Sequence, residues 1–296
     1  MTDIVPSIVP SVVPPPAPSE RVQARKENWR LIRRRPAFVV GSVIVAFWVA
    51  CALFGTRIAP HSAFDFRTKA HLHPSLKYLF GTDKTGRDVL SRVIVGARDV
   101  FKVAPLGALL GVFFGVILGM LMGYFGGWLD LVFSRIVEAF LALPVILVAL
   151  LAVTTLGRST WVVIAVVAGL FTPIVARTVR AAVLAERDLD YVTSARLRGE
   201  AAPFIMFREI LPNVMGPIIV ELTVRIGYAV FTVATLAFLG AGPKPPSPDW
   251  GAQVSDNYTL INAGIWWTTL FPAMAIASLV IAVNLIADSV QSVLEA

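Results

Sequence analysis

Charge is scarce in this 296-residue sequence: 15% of its residues are Asp, Glu, Lys or Arg, against about 25% in a typical soluble domain. With 56% hydrophobic residues and a mean hydropathy of +0.74, a soluble single-core enzyme is excluded as the leading reading. Cysteine is nearly absent. The one copy, Cys51, lies in an apolar run, cannot form an internal disulfide, and is silent on redox compartment. Histidine occurs three times, and His71-x-His73 has no Cys or carboxylate pattern beside it, so solvated loop histidines outweigh a metal site. Catalytic signatures are missing too. A P-loop needs GxxxxGK[ST]; the nearest stretch, from Gly81 through Gly86 to Asp88, lacks both the Lys and the Ser/Thr. GxSxG, HExxH and CxxC do not occur, so nothing in the chain carries covalent chemistry.

What the chain does have is long apolar runs. A helical crossing needs about 20 apolar residues, and six crossings would use roughly 120. The first run, 36–56, holds no charge between Arg35 and Arg57. Further spans are expected at about 103–126, 136–156 (bent near Pro144), 160–177, 214–241 and 265–287. Residues 1–20, rich in Pro and without helical period, read as a disordered cytoplasmic tail rather than a cleaved signal peptide. Residues 21–35 form a basic cytoplasmic segment whose Lys and Arg place the N-terminus inside. The 57–102 segment is then an extracytoplasmic loop, although its nine Lys or Arg run against the orientation rule. The net charge of +7 fits basic cytoplasmic ends better than nucleic-acid binding. Residues 103–291 form a five-span core that contains a charged cytoplasmic loop at 185–213.

Charges inside apolar spans are costly and usually functional. Glu138, Glu221, Arg225 and Asp288 all fall near span ends, and Glu221 and Arg225 are spaced to pair on one helix face. No acid lies deep in a span, which argues against a self-contained ion-coupled carrier. The second span repeats glycine every fourth residue, at Gly107, Gly111, Gly115, Gly119 and Gly123. Such a stripe admits another helix backbone to backbone, either within the subunit or at a subunit interface or translocation path. Trp250, Trp266 and Trp267 suit the outer membrane interface or simple anchoring there.

The most informative stretch is 185–213. Residues 185–198 read as helix, Gly199 breaks it, and Pro203 suits the first turn of a second helix. Phe204, Phe207 and Leu211 then share one face. This helix–Gly–helix fits either an amphipathic interfacial element or a partner-docking lever. Its sequence resembles the EAA loop of ABC importer permeases, roughly EAA-x3-G-x9-I-x-LP. Gly199, Ile210, Leu211, Pro212 and Asn213 match it, and Tyr191, Val192, Ala195 and Arg196 match the form seen in peptide importers. Thr193 stands where the motif has Glu, Ser194 where it has its first Ala, and Glu209 where His is frequent; Glu200 follows the glycine. The stretch from Phe80 to Arg98, and those from Phe238 to Gly251 and Trp266 to Asp288, are similar to C-type permeases of dipeptide and oligopeptide importers.

The resemblance implies an all-α, polytopic transmembrane helical permease of the type I (MetI-like) ABC importer fold, with six spans and both termini cytoplasmic. It implies docking of the EAA loop on an ATPase, a second homologous (B-type) permease, two P-loop ATPases and an extracytoplasmic peptide-binding protein. It implies no cofactor on this chain, ATP and Mg being held by the ATPases, and no catalysis by the permease. The same family includes importers of nickel, haem and glutathione. A self-sufficient carrier or channel, and a membrane scaffold without transport, are the alternatives from other classes.

Overall fold

A computed structural model describes residues 31–66 and 68–294. The Pro-rich tail and most of the basic segment lie outside the described residues. Among these residues there is no strand, only an isolated bridge between Thr82 and Asp88. The spanning helices are α1 (Pro36–Ile58), α2 (Val89–Phe125), the pair α3 (Gly127–Leu141) and α4 (Val145–Leu156), and α5 (Thr160–Glu186). Between α5 and the next span lie α6 (Asp190–Leu197) and α7, which covers residues 202–213. The chain ends with α8 (Met215–Leu236), continued by a π-turn at Ala237–Ala241, then α9 (Trp250–Asn257) and α10 (Trp267–Leu294).

α1 starts with Pro36 in its first turn, a place where the missing N–H costs nothing. Its buried residues, Gly41, Trp48, Cys51 and Gly55, fall on one face, while Val43, Phe47, Leu53 and Phe54 stay exposed for lipid. α1 runs antiparallel to α10. Gly41 lies against the Ala282 carbonyl, and Trp48 Nε1 donates to Ser278 Oγ at 3.0 Å. The first described residues and the end of α10 therefore share one end of the bundle.

α2 begins at Val89, inside the segment expected as a loop. Val89, Val93, Ala97, Val100 and Ala104 are buried at helical spacing, but the intervening Arg92, Arg98, Asp99 and Lys102 mask that pattern in any hydropathy window. Asp88 caps the helix by accepting the Ser91 N–H at 3.0 Å. With 37 residues α2 is about 55 Å long, so it projects well beyond a hydrocarbon core of about 30 Å.

The glycine stripe faces α5 of the same chain. A Cβ on Gly107 would lie 2.8 Å from Val167, on Gly111 2.8 Å from Phe171, on Gly115 2.6 Å from Val175, on Gly119 2.8 Å from Val179 and on Gly123 2.7 Å from Val183. Both stripes advance by four, so α2 and α5 run in parallel with constant register. That register fixes what lies between them. The chain leaves the end of α2 and must re-enter at the opposite end of the bundle to begin α5. α3 and α4 together make that return, although they meet at a bend of 89°. The bend sits at Pro144, which cannot donate an intrahelical hydrogen bond and holds the preceding residue out of helical conformation. Five helices cross singly and the bent pair crosses as one unit, giving six crossings.

The remaining differences concern ends and aromatic positions. α5 continues past the expected end near residue 177 to Glu186, because Arg180 is neutralised there: its Nη2 donates to Asp130 Oδ2 of α3 at 2.6 Å. Trp250 and Trp267 are fully buried inside the protein rather than placed at a membrane interface. Trp250 Nε1 donates to the Val93 carbonyl at 2.8 Å, tying α9 to α2, and Trp267 Nε1 donates to the Thr82 carbonyl at 3.3 Å, tying α10 to the loop before α2. Trp266 alone is substantially exposed, at 46%. Glu221 and Arg225 pair at 2.8 Å on α8, and Thr178 of α5 donates to the same carboxylate at 2.8 Å.

Candidate functional site

The loop between α5 and α8 is a folded element with two unlike faces. The expected single helix over 185–198 is divided: α5 stops at Glu186 and α6 starts at Asp190. Arg187 pins the junction, donating from Nη1 to the Gly123 carbonyl at 3.0 Å and so tying the ends of α2 and α5 together. Asp190 stands in the first turn of α6, where a carboxylate complements the helix dipole.

α6 ends on Gly199 in a Schellman arrangement. The Gly199 N–H bonds to the Arg196 carbonyl at 3.0 Å, and the Glu200 N–H reaches back to Ala195 at 3.2 Å. This geometry needs a left-handed residue, and Gly199 has φ of +77°. A Cβ built there would meet nothing within 4 Å. The glycine is thus required by backbone conformation, not by close approach of a neighbouring segment.

α7 begins with Pro203 in its first turn and then widens into π-helix over Ile205–Ile210. The cause is Pro212, which cannot donate to the carbonyl four residues back and whose ring would crowd it. The turn expands instead: the Leu211 N–H bonds to the Met206 carbonyl, and the Asn213 side chain donates to the Glu209 carbonyl at 2.8 Å. The Leu-Pro-Asn run thereby sets the exit angle of the loop into α8.

One face of the loop is rooted in the bundle. Val192 and Ala195 of α6 and Ile205, Met206 and Ile210 of α7 are buried in a single apolar cluster with Met120 of α2 and Val175, Val179 and Val183 of α5. The opposite face is bare. Leu197 is 85% exposed, and Phe204 and Phe207 are also exposed. Thr193, Ser194, Arg196, Gly199, Pro212 and Asn213 lie on the solvent side, whereas Tyr191, Glu200 and Leu211 are half-buried. The motif residues therefore split into two groups, Ala195 and Ile210 anchoring the loop and the small polar ones facing outward.

Electrostatic ties stiffen the two arms. Arg198 Nη2 lies 2.7 Å from Glu200 Oε1 and 3.7 Å from Glu209 Oε1, bridging α6 to α7. Arg196 rests its guanidinium over the Tyr124 ring at 5.4 Å. The Tyr191 hydroxyl donates to Glu186 at 2.6 Å; burial, reinforced by that carboxylate, pushes its pKa up to about 12. It stays a hydrogen-bond donor at every physiological pH. None of these groups forms a nucleophile–base pair, and among the described residues no three His, Cys, Asp or Glu gather to hold a metal. The arrangement suits transmission of motion.

The opposite end of the bundle holds a second built structure, one that sequence reasoning did not resolve. Asp83 accepts from the Thr85 N–H and hydroxyl, each at 2.8 Å, from the Arg87 N–H at 2.9 Å and from Arg87 Nε at 2.8 Å. Burial raises the Asp83 pKa, but these bonds and the Arg87 charge outweigh it and hold the carboxyl below the usual range. Arg92 is buried beside it and donates to the carbonyls of Ala63, Pro246 and Ser247. The Thr-Asp-x-Thr-Gly-Arg run is thus a structural clasp between the first loop, α2 and the last loop. The motif itself was visible in the sequence. The carbonyls of Pro246 and Ser247 that the neighbouring Arg92 reaches, 154 and 155 residues away, were not.

Comparison with known proteins agrees with this architecture. Residues 115–296 match the family described as binding-protein-dependent transport system inner membrane component, and residues 24–74 match the N-terminal TM domain of oligopeptide transport permease C. The chain is 39% identical over 277 residues to the dipeptide transport system permease protein DppC of Escherichia coli K12, covering 91% of this chain and 92% of that one. It is 33% identical over 274 residues to the protein of the same name in Alkalihalophilus pseudofirmus, covering 91% and 89%. It is 36% identical over 272 residues to the glutathione transport system permease protein GsiD of an Escherichia coli O6 strain, with the same coverage. An all-helical bundle of six crossings with a bipartite loop and this range of similarity has one reading: the chain belongs to the inner membrane components of binding-protein-dependent transport systems, as a permease subunit.

Proposed function

We propose that this chain forms half of the translocation path of an ATP-driven importer of di- or oligopeptides and receives its drive through the 185–213 loop. The observation that carries the reading is the loop's division into a rooted face on α2 and α5 and an exposed face at Leu197, Phe204 and Phe207. A rigid element with apolar groups held in water is suited to seat in a partner's cleft. The partners are a second permease of the B type, two P-loop ATPases that hold the ATP and Mg, and an extracytoplasmic peptide-binding protein. No cofactor is assigned to this chain, and hydrolysis belongs to the ATPases. Relatives named for dipeptide and for glutathione transport support a small peptide or peptide-like cargo. The loop and the start of α1 lie at the cytoplasmic end, in keeping with the basic residues Arg33 to Arg35, Arg187, Arg196, Arg198 and Arg208 there.

Gentle extraction of the tagged chain from its native membrane is expected to recover a similar permease and P-loop ATPases. Leu197→Glu is expected to sever the ATPases while the two permeases stay together, because it places a charge on an exposed face without touching the buried cluster. Recovery of this chain alone as a stable homo-oligomer would refute the importer reading. Sidedness has its own check. Leu76 is 99% exposed at the end opposite the loop, so Leu76→Cys in a Cys51→Ser background is expected to react with an impermeant maleimide added outside intact cells. Reaction only after the cytoplasm is opened would reverse the topology.

A further inference from the structure

The outer end of the bundle carries more cations than an outward-facing surface favours, and several of them, buried or exposed, are paired. Arg87 and Arg92 meet Asp83, and Lys84 meets Asp256. Lys102 and Arg158 differ: neither forms an ion pair among the described residues, and both line a cavity of about 150 Å³ between the starts of α2 and α5 and the end of α8. Asp99 and Asp249 line the same cavity. Asp249 is only 2% exposed; one of its oxygens accepts the Ala252 N–H at 2.9 Å. Burial, together with the nearby Asp99 charge, raises its pKa to about 6. Two buried or half-buried carboxylates that repel one another are stabilised by an arriving cation. Lys102 and Arg158, exposed and without an ion-pair partner among the described residues at the edge of the same cavity, attract an arriving anion.

A second cavity of about 190 Å³ adjoins the first and shares Arg158, Gly242, Pro243 and Ser247 with it. Arg158 therefore stands at the junction of the two. Apolar walls from Val103, Val163 and Leu236 lower the local dielectric and strengthen any charge contact made there. We infer that this vestibule is a receiving site for a free peptide, with Arg158 and Lys102 taking the terminal carboxylate and Asp99 and Asp249 the terminal ammonium. A guanidinium presents a planar fork that matches a carboxylate bidentately, which assigns Arg158 the leading role. This inference rests on the peptide-import reading and adds a cargo site on the permease itself.

The test uses the assembled transporter purified with its second permease and ATPases, with Cys51→Ser and a reporter Thr160→Cys on the cavity wall. The probe is alanyl-alanine, and the rate of thiol modification on this chain is followed with and without a non-hydrolysable ATP analogue. Alanyl-alanine is expected to slow modification in at least one nucleotide state, whereas its C-terminal amide leaves the rate unchanged. Arg158→Gln is expected to raise the half-protecting concentration about tenfold, the scale of one charge-assisted contact, and Arg158→Lys to raise it less. Absence of protection in both states, or equal protection by the amide, overturns the site. Peptide uptake by the same complex with its binding protein separates the two readings. Uptake without protection sinks the vestibule alone, and absence of peptide uptake sinks the peptide-import reading beneath it.

Discussion

Gly199→Val is expected to abolish ATP-driven uptake while leaving membrane insertion and the α2–α5 core intact. The φ of +77° at this position closes the Schellman turn that ends α6, and a β-branched residue is forced out of that conformation at a cost of about 1–3 kcal/mol. Space is not the issue, since a Cβ would touch nothing within 4 Å. The consequence is specific to this mechanism. Gly199→Asn is expected to retain most uptake, because Asn tolerates the left-handed region. Gly199→Asp has nearly the shape of Asn but adds a charge beside Glu200 and Glu209, which share Arg198 as their only ion-pair partner among the described residues. It is expected to lose transport. The order Gly, Asn, Asp, Val in uptake, with equal amounts of chain in the membrane, is the measurable signature. Equal uptake by Gly199→Val would show that the turn is not part of the lever.

The sequence speaks clearly where a pattern is local and quietly where a partner is remote. The glycine period of four in α2 is written in consecutive residues, and so is the matching period of Val167, Phe171, Val175, Val179 and Val183 in α5. Their parallel register is a tertiary fact, and without it the return crossing through the bent α3–α4 pair cannot be deduced. Gly199 and Pro203 mark the middle of the 185–213 loop by their backbone chemistry alone. The buried identities of Val192, Ile205 and Met206 are hidden because the surface they cover belongs to other spans. The start of α2 was masked for a different reason: Arg92, Asp99 and Lys102 count against hydropathy although Arg92 is buried, its terminal nitrogens donating to three carbonyls. Trp250 and Trp267 illustrate the same limit, because an aromatic residue near a span end has equal claim to a membrane interface and to a protein interior. Only the position of Val93 and Thr82 carbonyls decides it.

Substitutions along the glycine stripe are expected to divide into those a partner change can rescue and those it cannot. A Cβ on Gly107 would lie 2.8 and 3.0 Å from Val167 side-chain atoms, with the nearest backbone atom, the Ile164 carbonyl, at 3.5 Å. Gly107→Ala should therefore destabilise the α2–α5 pair by about 1–3 kcal/mol, the usual scale of overpacking, and Val167→Gly should restore much of that loss by vacating the colliding atoms. At Gly119 the obstacle is the backbone itself. A Cβ would sit 2.7 Å from the Ala176 carbonyl and 3.0 Å from the Arg180 nitrogen, besides 2.8 Å from Val179. Gly119→Ala is expected to force the helices apart, and Val179→Gly is expected not to rescue it. Thermal unfolding of the purified complex and protease sensitivity of the α5 end report both outcomes. Rescue at both positions would mean that α2 and α5 do not meet backbone to backbone at Gly119. Failure of rescue at Gly107 would mean that Val167 is not its contact. The pairing also predicts a functional consequence for the loop. Met120, Val179 and Val183 form the bed on which Val192 and Ile210 rest, so spreading the helices at Gly119 removes the footing of the proposed coupling loop as well as the core. Gly119→Ala should accordingly lose uptake at temperatures where the chain is still folded, and Gly107→Ala, farther from that bed, should lose uptake only as it unfolds.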